Sequence, residues 1–94
     1  MAEVLMYSTR WCPFCVRAKR LLDSKKVAYR DIDVGAEPAE RVRMMELSGQ
    51  RTVPQIWIGS QHVGGCDELF ALERAGKLDG LLIENKIGDD DERR

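Results

Sequence analysis

The chain has 94 residues, 44% hydrophobic and 33% charged, with a net charge of −1. That is the length of one domain with a modest core, and the near-neutral balance lacks the basic excess of a nucleic-acid binder. No apolar run approaches the roughly 20 residues that span a bilayer, and the opening stretch, with Glu3 and few apolar residues, makes no signal peptide.

In chain order, Val4 to Tyr7 reads as a buried strand. Ser8 to Trp11 forms a turn, and Pro13 suits the first position of a helix, where its missing N–H costs nothing. That helix extends to about Lys25, with Cys15, Ala18, Leu21 and Leu22 inward and Arg17, Lys19 and Arg20 mostly outward. Val27 to Val34 is a second strand, parallel to the first across the helix. Pro38 opens a second helix that turns Val42, Met45 and Leu47 or Met44 inward, and Gly49 closes it. Gln55 to Ile58 and Gln61 to Val63 are strands joined by a Gly59-Ser60 hairpin turn. Asp67 begins a third helix, Gly76 ends it, and Leu78 to Ile87 forms a last helical segment. The expected fold is α/β, in β-α-β-α-β-β-α order. Residues 1–87 form the domain, and 88–94, with four acids, two bases and no apolar anchor, form a disordered tail.

Three cysteines, an odd number, fit catalytic or metal-binding use better than a disulfide scaffold. Cys12-Pro13-Phe14-Cys15 follows a strand and opens a helix. Free N–H groups and the helix dipole stabilise a thiolate at such a position. A cysteine so placed can titrate at about 3.5–7.5 instead of about 8.5, and the thiolate is the nucleophile of disulfide exchange. Arg10 adds positive charge nearby, and Cys15, one turn on, can resolve a mixed disulfide on Cys12. Pro54, in Thr52-Val53-Pro54, fits a trans proline at a strand start. A cis bond there would instead leave the Val53 backbone free to pair with an extended peptide. Gly64-Gly65-Cys66-Asp67 joins two glycines to a helix N-terminus that can hold a carboxylate. Asp67 fits either an N-cap or a ligand for an ammonium. Cys66 taken alone is a small buried hydrophobe. Trp11 is an aromatic in a turn, or a contact for protein substrates. Cys12, Cys15, His62 and Cys66 also make a zinc-type donor set, although His62, on a strand, is expected to face solvent.

Strand–CPFC–helix, TVP before a strand and GGCD before a helix, in that order over residues 3 to 82, resemble the dithiol glutaredoxins, the bacterial glutaredoxin 3 group in particular. The resemblance implies a thioredoxin-like fold with a four-stranded mixed sheet, a cis Pro54, and one groove shared by Cys12, Val53 and Gly65-Cys66-Asp67. It implies a glutathione-dependent oxidoreductase with catalytic Cys12 and Cys15, reducing protein disulfides and glutathione mixed disulfides. Glutathione is the cosubstrate, with no tightly bound cofactor and no metal. Its implied contacts are Phe14, Thr52, Val53, Pro54, Cys66 and Asp67. The family often has Lys three residues before the first motif cysteine. This chain has Thr9 there, so Arg41 is the preferred partner for the glycyl carboxylate and Arg10 the weaker one. Phe14 stands where the family usually has Tyr. Expected partners are glutathione and disulfide-bearing or glutathionylated proteins, without nucleic acid or membrane. The expected form is a monomer in a reducing cytoplasm. The alternatives are an iron–sulfur carrier using Cys12 and glutathione, and a reductant served by thioredoxin reductase.

Overall fold

In the computed structural model, which describes residues 3–83, strand parity divides the core. Successive side chains of β1 (Val4–Ser8) point to opposite faces of the sheet. Val4 and Met6 face one side, where Ala18 and Leu22 of α1 (Pro13–Ser24) and Leu69 of α3 (Cys66–Arg74) close a large cluster with Leu78 and Leu82. Tyr7 faces the other side and meets Val34 and, on α2 (Pro38–Ser48), Met44, with Leu5, Val53 and Trp57 packed around them. A strand buried on both faces needs the near-continuous apolar run that the sequence carries.

The sheet has the order β2-β1-β3-β4. β2 (Tyr29–Asp33) is parallel to β1, and β3 (Gln55–Ile58) is antiparallel to it, with Met6 opposite Ile56. β4 (Gln61–Gly64) closes a hairpin on β3, with Trp57 opposite His62. Gly59 takes φ +61° in the hairpin turn, as a two-residue Gly-X turn requires. The element order and mixed sheet match the expectation, and the fold is thioredoxin-like.

Local signals hold at most boundaries. Pro13 and Pro38 open their helices, and Gly49 ends α2 in the left-handed region at φ +71°. The second strand is shorter than expected, because Val27 packs in the core ahead of the ladder. The inward face of α2 differs from the expectation. Val42 and Leu47 are about half exposed, while Met44 is fully buried and Met45 partly so. Apolar residues at 42, 44, 45 and 47 surround much of this helix, so contact with Tyr7 and Val34 sets its rotation. Residues 78–83 are helical. The end of that expected segment and the expected tail, 88–94, lie outside the described residues. No helix among the described residues is long and apolar enough to cross a membrane.

Candidate active site

The β1–α1 turn places the two motif cysteines unequally. Cys12 is the N-cap of α1, with φ −97° and ψ 112°, and Pro13 supplies the first helical residue. The Cys15 backbone N–H donates to Cys12 Sγ at 3.2 Å, so a helix-end donor that lacks a carbonyl partner meets the sulfur. The Cys12 thiol also approaches the Val53 carbonyl oxygen, at 3.7 Å. Cys12 is partly exposed and Cys15 fully buried. Burial, and then the hydrogen bond with Cys12, push the Cys15 thiol up to about 12. One sulfur is therefore reachable from solvent, while burial holds the proton on its neighbour.

Two further segments meet this turn. The Val53–Pro54 peptide bond is cis, as the resemblance implied. Gly64 takes φ +114°, and a Cβ on Gly65 would lie 3.2 Å from the Pro54 carbonyl oxygen. Glycine at 65 leaves room for the Thr52–Pro54 loop, and glycine at 64 suits the left-handed backbone there. Phe14, Thr52, Val53, Pro54, Gly65, Cys66, Asp67 and Glu68 line the resulting groove, of about 320 Å³. Phe14, beside Cys12, is about half exposed. Burial raises the Cys66 thiol, against the pull of Arg17.

Arg41 is partly buried on α2 and is not among the groove's lining residues. Two expectations change. Asp67 is not the N-cap of α3. Gly65 takes that place, and Glu68 reaches back to accept its N–H at 2.7 Å. Glu68, the third helical residue, thus makes the reciprocal half of a capping box, and Gly65, with no side chain, makes none of the other half. Glu68 was missed as a lining residue; an acid three positions after Gly65 is the signal that could have found it. His62 does not simply face solvent. Its ring packs at a tilt against Trp57, centroids 4.6 Å apart, and its Nε2 lies 2.8 Å from Gln55 Oε1. Among the described residues, no three His, Cys, Asp or Glu side chains are grouped to hold a metal ion.

The family model for glutaredoxins matches residues 4–63. The chain belongs to the glutaredoxin family. It is 55% identical to a glutaredoxin of Pseudomonas aeruginosa, over 87% of this chain and 98% of that protein. It is 49% identical to glutaredoxin 3 of Escherichia coli K12, over 87% of this chain and 99% of that one. A crystal structure of a buckwheat glutaredoxin–glutathione complex superposes with a TM-score of 0.81 at 36% identity, covering 86% of this chain and 76% of the other. This glutaredoxin is a glutathione-dependent thiol–disulfide oxidoreductase of the glutaredoxin 3 type.

Proposed function

We propose that the glutaredoxin reduces both glutathione mixed disulfides and protein disulfides through Cys12 and Cys15. The observation that carries this reading is the Cys12 sulfur at the start of α1, partly exposed and met by the Cys15 N–H, beside a Cys15 thiol that is buried and protonated. For a glutathionylated protein, the Cys12 thiolate attacks the glutathione sulfur, and the protein leaves as a thiolate. A glutathione thiolate then attacks the glutathione sulfur of the Cys12 mixed disulfide. Oxidised glutathione forms, and Cys12 returns as a thiolate. For a protein disulfide, the Cys12 thiolate attacks one protein sulfur and releases the other as a thiolate; Cys15, giving its proton to the departing sulfur, then attacks Cys12 and frees the remaining protein thiol. Two further glutathione molecules reduce the resulting Cys12–Cys15 disulfide.

Glutathione is a short extended peptide with a thiol, two carboxylates and an ammonium. In this reading its cysteinyl portion pairs with the Val53 backbone between Thr52 and Pro54, against Phe14. The γ-glutamyl carboxylate meets the N–H groups of Cys66 and Asp67 at the start of α3, and the Asp67 carboxylate takes the ammonium. The glutathione held by the buckwheat structure supports a glutathione groove in this fold. Arg41 and Arg10 remain the candidates for the glycyl carboxylate, with Arg10 favoured by its exposure near Cys12. Cys15, one helical turn from Cys12, supports exchange over cluster carriage. We place the protein in the cytoplasm as a single-domain monomer over residues 1–87.

The test is turnover of a cysteine–glutathione mixed disulfide, coupled to glutathione reductase and NADPH. Cys12→Ser is expected to abolish it. Cys15→Ser is expected to keep it while losing most reduction of a protein disulfide. Equal loss of both activities in Cys15→Ser would give Cys15 a structural role, and wild-type inactivity would overturn the reading.

A further inference from the structure

We infer that Gln55 and His62 are positioning residues that hold the Thr52–Pro54 loop in register for a peptide-like thiol. Gln55 opens β3 and is only 2% exposed. A buried amide is costly unless its polar atoms are bonded, and here they bond to the loop and to β4. Gln55 Nε2 donates to the Thr52 carbonyl at 3.0 Å and lies 3.3 Å from Thr52 Oγ1. Its Oε1 lies 2.8 Å from His62 Nε2.

The donor pattern follows from chemistry. The Thr52 carbonyl can only accept, so the amide nitrogen faces it and Oε1 faces His62. The hydrogen of this bond therefore sits on His62 Nε2, a requirement met by that neutral tautomer and by the imidazolium alike. The imidazole packs against Trp57, tilted by 35° with centroids 4.6 Å apart, and the Trp57 ring meets Tyr7 edge-on at 5.6 Å. A line of contacts thus runs from the central strand, through Trp57, His62 and Gln55, to the Thr52 carbonyl. Among the described residues, the turn and loop backbone hydrogen bonds include none from Thr52, Val53 or Pro54. The Gln55 amide is therefore a principal polar tether of the segment that carries the Val53 backbone. The Cys12 thiol also approaches the Val53 carbonyl of this loop.

The inference rests on the proposed pairing of the Val53 backbone with glutathione. A thiol that has such a backbone should feel the position of the loop, and one that lacks it should not. The experiment compares single-turnover oxidation of the reduced protein by oxidised glutathione and by bis(2-hydroxyethyl) disulfide, in wild type, Gln55→Met and His62→Phe. Met preserves length and burial, and Phe keeps an aromatic ring against Trp57. If Gln55→Met does not fold, His62→Phe carries the test, with thermal midpoints as the check. The ratio of the two rate constants is expected to fall roughly two- to tenfold in each variant, the span of a lost hydrogen bond. The rate with the hydroxyethyl disulfide is expected to stay within about twofold of wild type, since no bond to Cys12 has been removed. An unchanged ratio, or an equal fall with both disulfides, would overturn the positioning role. A wild type without preference for oxidised glutathione would overturn the groove reading itself, a failure visible before any variant is compared.

Discussion

At the scale of single residues, two cysteines three positions apart have opposite surroundings. Cys12 caps a helix at the surface, and Cys15 projects from its first turn into protein. Burial disfavours the thiolate of Cys15 and pushes it up to about 12, from an ordinary 9.0. The consequence for stability has a definite sign. Between those two values the unfolded chain has released the Cys15 proton and the native protein still binds it. Native stability therefore falls as pH rises through that window, by up to about 1.4 kcal/mol per pH unit. Lys19, raised chiefly by its hydrogen bond to Asp31, and Tyr29, raised chiefly by burial, add alkaline losses of the same direction. Comparison isolates the Cys15 share. Urea midpoints of the reduced wild type from pH 8.5 to 10.5 are expected to fall more steeply than those of Cys15→Ser, which has no thiol to titrate at that position. Parallel curves would show that burial does not hold the Cys15 proton.

At the scale of elements, the start of α3 depends on an acceptor supplied from inside the helix. Glu68 accepts the Gly65 N–H at 2.7 Å, and the same segment forms one wall of the groove. Glu68→Ala is expected to cost about 0.5–2 kcal/mol in urea unfolding, and Glu68→Gln much less, because an amide oxygen can accept the same bond. Equal losses in the two variants would assign the effect to charge near the helix N-terminus. Helix entries marked by Pro13 and Pro38, and the exit at Gly49, were legible because each residue constrains its own backbone. The cap of α3 was not, because Asp67 is a good capping residue by type and glycine shows no capping atom. The interior of α2 was not legible either. With apolar residues on several sides, only the neighbouring Tyr7 and Val34 decide that Met44 is buried and Leu47 is not. His62 shows the same limit: alternation along β4 describes its direction, but its partner Gln55 comes from the adjacent strand.

At the scale of the molecule, the groove is assembled from three connections that are distant in sequence: β1 to α1, the approach to β3, and β4 to α3. Antiparallel pairing of β3 with β1 brings the Thr52–Pro54 loop to the end of β1 that carries Cys12. The three motifs were readable in the chain, whereas their convergence came from the fold that the resemblance implied. The two faces of the sheet differ in how they support this arrangement. On one face α1 and α3 share a cluster with Leu78 and Leu82, while on the other α2 buries Met44 alone. Val53 packs on that smaller cluster, so the loop that carries it leans on the more thinly anchored side. Met44→Ala is expected to cost about 2–5 kcal/mol, as for other fully buried side chains cut to alanine. Loss of its one fully buried residue should also let α2 open locally more readily than the rest of the molecule. Hydrogen exchange would then speed up in amides of α2 beyond the uniform gain set by the global loss, while α1 and α3 follow that uniform gain. A uniform increase across all the helices would show instead that the smaller cluster unfolds only with the whole domain.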